Sequence, residues 1–223
     1  MIVKLLSYTQ DADKICASAG NSCYSERPSH DIIKEMDDAE RVLSKIVGMG
    51  HQSVVEHAVF TFSLEGVSRA LTHQLVRHRI ASFSQQSQRY VSLKEPTYVI
   101  PETVRSDPDL LKAYRDVMEN IWETYRKLSD RIPPEDARYV LPNGCTTNIT
   151  VTMNARELLH LFSLRCCSRA QWEIREMADR MLEICRNVSP VIFRDAGPPC
   201  LRTSCPEGKL TCGKPRTELK KIK

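Results

Sequence analysis

The stretch GVSRALTHQLVRHRIASFSQQSQRYVSLK, residues 66–94, is rich in basic and amide side chains and contains no Asp or Glu. Its centre is the Arg-His-Arg triplet at residues 77–79, which serine and glutamine residues follow. Guanidinium groups match phosphate oxygens through paired hydrogen bonds, and amides offer the donor and acceptor needed at a nucleobase edge. The stretch therefore indicates a site for a phosphorylated, base-bearing small molecule. The alternative is that the arginines pair with acids elsewhere, such as Glu56 or Glu65.

Outward from this stretch, the hydrophobic pattern predicts an α+β fold with more helix than strand. Apolar and polar residues alternate over residues 59–64, which is typical of a half-buried strand, and strands are also predicted over residues 1–8 and 146–152. Residues 80–93 show neither period, and we expect an ordered loop there. The predicted helices cover residues 29–48 with Ser29 as the cap, a short segment beyond Gly66 through Leu75, and residues 107–130, 154–164 and 174–188.

The composition is that of a globular protein. Of the 223 residues, 41% are hydrophobic and 27% are charged, which argues against collagen-like, low-complexity or disordered chains. The first residues are too polar for a signal peptide, and no run reaches the ~18 apolar residues of a membrane span, so we expect a soluble, cytoplasmic protein. We expect one domain over residues 1–195 and a basic tail, rich in Cys, Pro and Gly, over residues 196–223.

The net charge of +4 lies in the last ten residues, KPRTELKKIK, which carry five basic side chains and one acidic side chain. Residues 1–213 are therefore balanced. Nucleic-acid-binding faces need Lys and Arg clustered on folded surface, so we expect small-molecule partners rather than nucleic acid or membrane. A non-catalytic nucleotide- or RNA-binding module that uses the arginine-rich stretch and the tail is the alternative.

The cysteines predict neither a disulfide framework nor a metal site. There are nine, an odd number, with no secretory signal and no C-x-x-C pair, so reduced thiols are expected. Cys200, Cys205 and Cys212 fit no standard zinc spacing, and zinc is the less favoured alternative for them. His51 and His57 lie six residues apart and do not form the i, i+4 pair of a zinc hydrolase, so hydrogen bonding in a cleft is favoured.

The segment NARELLHLFSLR, residues 154–165, places polar side chains among leucines. Asn154 is suited to cap a helix, Arg165 to complement the carboxyl end of that helix, and His160 to be a satisfied core residue. For each of these three residues, a ligand-binding or catalytic role is the alternative to the structural one.

Four motifs occur together along the chain. Arg77-His78-Arg79, seven residues and Ser87 form the pattern R-H-R-x7-S within RHRIASFSQQSQRY; GHQSVVEH precedes it, and NARELLHLFSLR and AQWEIRE follow. In this order the motifs resemble those of the flavin-dependent thymidylate synthases, the ThyX family, over residues 45–185. The resemblance is highly specific because several motifs share one order.

This resemblance implies reductive methylation of dUMP to dTMP without an enzyme nucleophile. Methylenetetrahydrofolate would give the one-carbon unit, FAD would carry the hydride, NADPH would reduce the flavin, and tetrahydrofolate would be released. A homotetramer with shared active sites is also implied, built from a single α+β domain whose mixed or antiparallel sheet is flanked by several helices. The absence of a G-x-G-x-x-G motif agrees with a fold that is not a Rossmann fold.

The same resemblance implies roles for individual residues. Arg165 would be the catalytic residue that polarises the uracil, and a fixed guanidinium is a suitable electrostatic stabiliser. His51 would line the folate pocket, and Ser53 and Arg138 would reach sites of neighbouring subunits. The positions implied to bind flavin are Ser53, Arg77, His78, Arg79, Gln85, Asn154, Ala155, Arg156 and His160. The positions implied to bind dUMP are Gln74, Leu75, Val76, Arg77, Gln85, Gln86, Ser87, Gln88, Arg89, Arg138 and Arg165.

Two positions depart from the family pattern. Ser84 stands where the family often has Asn, and Gln85, which carries no charge, stands where it often has Glu. Ser87 is expected to be a substrate ligand, because no activating base stands beside it. A cysteine-dependent thymidylate synthase is a less favoured alternative, because Cys200 follows Pro199 but lacks the His that comes next in those enzymes.

Overall fold

The computed structural model describes residues 1–93 and 95–217, so Lys94 and the last basic residues of the tail lie outside the described residues. The described strands are β1 (Ile2–Tyr8), β2 (Val59–Ser68), β3 (Ala81–Gln85) and β4 (Thr146–Asn154). The described α-helices are α1 (Ala12–Ser22), α2 (Ser29–Lys34), α3 (Ala39–Gly48), α4 (Arg69–Leu75), α5 (Glu102–Arg105), α6 (Pro108–Ser129), α7 (Pro134–Ala137), α8 (Ala155–Arg165) and α9 (Trp172–Val188). Short 3₁₀ turns cover Gln52–His57, Arg138–Val140, Pro199–Leu201 and Gly208–Leu210.

The strands form one antiparallel sheet in the order β1-β2-β4-β3. Along the β2–β4 pair, the hydroxyls of Thr61 and Thr152 lie 3.0 Å apart, and further along the Gly66 amide donates to the Asn148 side chain at 3.0 Å. The numbering thus rises on one strand as it falls on the other, which defines an antiparallel pair. The predicted α+β class and the exclusion of a Rossmann fold are confirmed.

Elements with strong periodicity are confirmed. β1, β2 and β4 match the three predicted strands, and the inward residues Phe60, Phe62 and Leu64 of β2 are fully buried. Helices α4, α6, α8 and α9 lie where they are predicted. The side chain of Asp107 caps α6 by accepting from the backbone of Asp109 at 3.0 Å, with Pro108 at the first helical position.

The prediction of a loop over residues 80–93 is wrong at its start, because β3 covers Ala81–Gln85. Its residues alternate between half-buried and exposed, but the half-buried positions include an alanine and a glutamine and the exposed ones are serines. The contrast in hydrophobicity is therefore too weak for a period of two to be visible in the sequence.

The predicted single helix over residues 29–48 is two helices, α2 and α3, separated after Lys34. Ser29 is the first residue of α2 and not its cap, whereas Asp38 caps α3 by accepting from the Arg41 amide at 2.9 Å. Helix α1, which was not predicted, buries small residues against α3. A Cβ at Gly20 would collide with the Ile46 side chain, so glycine permits the close approach of the two helices.

The chain divides into two compact units that interleave along the sequence. The first unit is Met1–Ile2, Leu64–Arg77 and Ser84–Thr150, and the second is Val3–Ser63, His78–Phe83 and the described residues from Val151 on. In the first unit, α6 packs the buried Met118 and Trp122 against Cys145. In the second unit, the Phe193 ring lies 5.4 Å from that of Phe60 and 5.9 Å from that of Phe162.

The described part of the tail is anchored within the second unit. The Arg216 guanidinium donates to the Asp179 carboxylate at 2.8 Å and to the Cys166 carbonyl at 2.8 Å, with only 11% of its side chain exposed. A domain boundary at residue 195 stays a prediction. Of the helices described here, none is both long and apolar enough to cross a membrane.

Candidate active site

The Arg-His-Arg triplet follows α4 and precedes β3, and its side chains differ sharply in exposure. His78 is 3% exposed, while Arg77 and Arg79 are both exposed. The backbone turns here, with the Arg77 amide donating to the Gln74 carbonyl. The triplet therefore buries its imidazole and leaves two guanidinium groups available to an anion.

A buried network in the second unit joins His78 to both ends of α8. His78 Nδ1 lies 2.9 Å from the Glu157 carboxylate, and Nε of Arg165 donates to His78 Nε2 at 3.1 Å. The side chains of His78 and Glu157 are 2% and 8% exposed. An arginine has no acceptor atom, so the lone pair of Nε2 must face it, and the imidazole proton is on Nδ1.

Burial is the largest cause that lowers the pKa of His78 below its ordinary value. The hydrogen bond that His78 donates to Glu157 raises this pKa, and the positive charge of Arg165 lowers it. Burial also lowers the pKa of Arg165. The titratable groups that face the imidazole are Glu157, Arg165 and His160, whose ring lies edge-on to that of His78 at 5.7 Å between centroids. His78 is therefore held as a neutral hydrogen-bonding group.

The N-terminus of α8 fixes the start of this network. The Asn154 side chain accepts from the Glu157 amide at 2.9 Å, so the interpretation of Asn154 as a helix cap is confirmed. His160 is exposed, so its interpretation as a core residue is wrong. Glu157 and His160 are three residues apart and are neighbours on the helix surface.

A cavity of about 660 Å³ in the second unit contains several of the predicted flavin-binding residues. Asn154, Arg156 and His160 line it, and Arg156 forms an ion pair there with Glu56. The cavity lies within the size range typical of ligand sites. Five polar residues of its wall were not predicted to bind ligand: Gln52, Glu56, Glu157, Ser163 and Arg202. Ser53 is exposed beside Gln52, whereas Ala155 is fully buried and its amide donates to the Ala58 carbonyl at 2.8 Å.

In the first unit, two of the predicted dUMP-binding glutamines are held by the protein. Nε2 of Gln85 donates to the hydroxyls of Thr72 and Thr147 at 3.2 and 3.3 Å, and Nε2 of Gln88 donates to Cys145 Sγ at 3.6 Å. The glutamine at position 85 thus has a structural use for its amide nitrogen that a glutamate does not offer.

Two predicted phosphate-binding arginines meet at one residue of α7. Nε of Arg89 donates to the Glu135 carboxylate at 2.9 Å, and Nε of Arg138 donates to the Glu135 carbonyl at 3.1 Å. The Ser87 hydroxyl accepts from the Arg89 amide at 3.1 Å. The alternative was that arginines of the basic stretch pair with acids elsewhere, and this holds for Arg89. Its partner is Glu135, which was not one of the acids named, and Glu56 pairs instead with Arg156.

Arg69, also in the first unit, was not among the predicted ligand-binding residues. Its Nη2 donates to the Gln86 carbonyl at 3.1 Å, but its Nε is buried with no hydrogen-bond partner among the residues that the structure describes. Burial lowers the pKa of Arg69, and the positive charge of Arg138 lowers it further. Arg69 and Arg138 are therefore two neighbouring positive charges, and such a pair of guanidinium groups is suited to an anionic ligand. The feature of the sequence that could have indicated Arg69 is the lack of Asp and Glu in residues 66–94.

The remaining predicted dUMP-binding residues show no common placement. Gln74 is half-buried and donates back to the Ala70 carbonyl at 3.4 Å, Leu75 is fully buried, and Val76 is exposed. The predicted folate-pocket residue His51 is exposed and lines a separate cavity of about 610 Å³.

Two cysteines beside predicted site residues, Cys145 and Cys166, are poor candidates for a nucleophile. All nine are free thiols, and burial raises the pKa of Cys166, which follows Arg165 directly, and that of Cys145. A thiol with a raised pKa is a poor source of the reactive thiolate. Across residues 1–93 and 95–217, no three His, Cys, Asp or Glu side chains are grouped to hold a metal ion. Cys200 and Cys205 instead line a cavity of about 360 Å³ with Arg165.

Comparison with known proteins gives a consistent result. The family described as thymidylate synthase complementing protein matches residues 4–191. A flavin-dependent thymidylate synthase of Geobacter sulfurreducens is 49% identical, over 100% of this chain and 97% of its own. The chain belongs to the flavin-dependent thymidylate synthase family. Another member, from Clostridium tetani, is 44% identical over 99% of this chain and 96% of its own, and one from Pyrococcus furiosus is 49% identical over 78% and 75%.

The region that matches the flavin-dependent thymidylate synthase family contains every predicted site residue. It includes the Arg-His-Arg triplet, the Gln85–Arg89 segment and helix α8, and it ends before the cysteines of the tail. The resemblance seen in the sequence motifs is thereby confirmed.

Proposed function

We propose that this chain is a thymidylate synthase that methylates dUMP reductively to dTMP, with methylenetetrahydrofolate as carbon donor, FAD as cofactor and NADPH as reductant. Family membership over nearly the whole chain carries this proposal. The geometry supports it, because a cavity lined by flavin-type donors and a cluster of arginines suited to phosphate occur in the same chain.

The donor set of the large cavity fits a flavin. Arg156 and His160 can donate to ring or pyrophosphate acceptors, and Ile80 and Leu159 give apolar wall for an aromatic ring system. We assign flavin binding to these residues, to Asn154, and to Arg79 of the triplet. When bound, FAD supplies the hydride that completes reduction of the transferred carbon.

The arginine cluster of the first unit fits the phosphate of dUMP. Arg89 and Arg138 are both held at Glu135, and the positive charge of Arg138 lowers the pKa of the half-buried Arg69. Bidentate guanidinium contacts suit a phosphate dianion, and the exposed pair Arg89–Glu135 can open to receive it at little cost. We add Arg69 to the residues that hold this anion.

Arg165 is proposed to polarise the uracil. Its Nε donates to His78 Nε2 at 3.1 Å, which fixes the orientation of the planar guanidinium. Drawing negative charge onto the pyrimidine amide makes carbon 5 a better nucleophile, so no covalent enzyme intermediate is required. The raised pKa values of the buried thiols agree with a reaction that uses no cysteine.

Assembly and location are proposed from the family. We propose a homotetramer in which Ser53 and Arg138 contribute to sites of neighbouring subunits, acting in the cytoplasm as a soluble enzyme on small molecules. Sedimentation of the purified protein tests the assembly.

Two measurements test the function. The purified protein is expected to be yellow with flavin absorption and, with dUMP, methylenetetrahydrofolate and NADPH, to form dTMP and tetrahydrofolate. Release of dihydrofolate would indicate the cysteine-dependent reaction. A colourless protein that binds polyanions in a salt-sensitive manner and forms no dTMP would indicate a nucleotide- or RNA-binding module.

A further inference from the structure

Glu157 is a carboxylate buried in the second unit with a side chain only 8% exposed. Buried carboxylates are costly unless they are paired, and this one is paired with a neutral histidine rather than with a cation. Its Oε1 lies 2.9 Å from His78 Nδ1, and its backbone amide is already used by Asn154. The carboxylate therefore acts on His78.

His78 has two possible neutral tautomers, and only one fits its surroundings. A carboxylate only accepts hydrogen bonds, so Glu157 requires the proton on Nδ1. The lone pair of Nε2 then accepts from Nε of Arg165 at 3.1 Å. With the other tautomer, two N–H groups would point at each other between His78 and Arg165, and that hydrogen bond would be lost.

We propose that Glu157 is a positioning residue that fixes the guanidinium of Arg165 through the tautomer of His78. This inference rests on the proposed function, in which Arg165 polarises the uracil. The carboxylate orients the imidazole, and the imidazole holds Nε of the guanidinium that polarises the uracil in the proposed function.

The variant Glu157→Gln separates positioning from packing. Glutamine has nearly the shape of glutamate, but its amide can accept from Nδ1–H or donate to an unprotonated Nδ1, so both tautomers of His78 become possible. The fold is expected to persist while the hydrogen bond to Arg165 is partly lost. Glu173→Gln is the matched control, because Glu173 is also a buried carboxylate, 2% exposed, and lies on α9.

The tautomer is measured directly by ¹⁵N NMR of protein labelled in its histidine rings, with His78 assigned by its absence in His78→Gln. In the wild-type protein and in Glu173→Gln, His78 is expected to carry its proton on Nδ1. In Glu157→Gln, both tautomers are expected. This readout does not depend on turnover.

Kinetics of the FAD-loaded enzyme give the second readout. Substitutions that release the tautomer of a functional histidine lower rates by about 10-fold or more, so Glu157→Gln is expected to lower kcat to that extent, with a smaller change in KM for dUMP. Glu173→Gln is expected to keep kcat within about 2-fold, as for substitutions outside the site.

The outcomes separate this inference from the proposed function. A proton on Nε2 of wild-type His78, or a Glu157→Gln variant with unchanged kcat, overturns the positioning role even when the wild-type enzyme makes dTMP. A wild-type protein without dTMP formation overturns the proposed function, whereas the tautomer measurement still decides whether Glu157 fixes His78.

Discussion

The His78–Glu157–Arg165 network and the segment from Gln85 to Arg89 use similar side chains but are held in different ways. In the network, the side chains of His78 and Glu157 are 2% and 8% exposed and each contacts a protein partner. In the segment, Arg89 and its partner Glu135 are 52% and 48% exposed. An exposed ion pair contributes at most about 1 kcal/mol, whereas a buried polar group without its partner costs about 1–3 kcal/mol. The network is thus built before any ligand binds, while the segment can exchange its protein partner for a phosphate.

Removal of the guanidinium from the buried network is expected to have the largest effect. Arg165→Ala should keep the fold and flavin absorption but lower kcat by about 100-fold or more, because the electrostatic stabiliser of the uracil is lost. Steady-state dTMP formation measures this effect. Arg169→Ala is the control, since Arg169 is half-exposed and pairs with Glu207, and it should retain its kcat. An unchanged kcat in Arg165→Ala would exclude the polarising role.

Removal of a guanidinium from the exposed segment should act on binding instead. Arg89→Ala is expected to raise KM for dUMP by about 10-fold with little change in kcat, because one charge-assisted contact to the phosphate is lost. Arg131→Ala removes an exposed arginine outside the predicted site and should leave KM unaltered. If Arg89→Ala instead lowered kcat and left KM for dUMP unchanged, the contrast between the two regions would be incorrect.

The cap residue Asn154 fixes the amino end of α8, which carries Glu157 of the buried network. Asn154→Ala is expected to lower the free energy of unfolding by about 1 kcal/mol, because the Glu157 amide loses its acceptor. Urea denaturation of flavin-free protein measures this as a lower midpoint with an unchanged slope. Asn120→Ala, at an exposed position inside α6, should not destabilise the protein.

The buried network should also make stability depend on pH in a graded way. Burial lowers the pKa of His78 in the folded protein below the value of about 6.5 expected when unfolded. The unfolded chain therefore takes up this proton first, so the stabilisation is fully present above that pH and is lost as the pH falls below it. His78→Gln should show a shallower fall in unfolding free energy between pH 7 and 5. An equal slope in both proteins would mean that His78 is not held neutral by the fold.

Local structure was predictable where one strong pattern governs it. The alternation in β2, the helical spacing of α6 and α9, and the cap Asn154 were all visible in the sequence and confirmed. Strand β3 was missed because its half-buried positions include an alanine and a glutamine, which differ too little in hydrophobicity from the exposed serines. Helices α2 and α3 were joined into one because the apolar spacing continues across the break.

The residue types of the site were predictable from the sequence, but the hydrogen-bond partners of those residues were not. The acid-free stretch and α8 supplied the candidate arginines, histidines and amides. A glutamate within a helix gives no sign that it is buried, so Glu157 was missed. Arg69 was visible as one basic residue among several, with nothing to mark its unpartnered Nε.

The sequence by itself determined which donors and acceptors this protein carries, the family to which it belongs and the elements with strong periodicity. Only the tertiary structure decided that His78 is buried against Glu157 and Arg165, which lie 79 and 87 positions further along the chain. It also decided that Arg89 is paired and that His160 is exposed. The physical reason is that burial and hydrogen-bond partners depend on contacts between distant segments. Those contacts set both the tautomer of an imidazole and the orientation of a guanidinium.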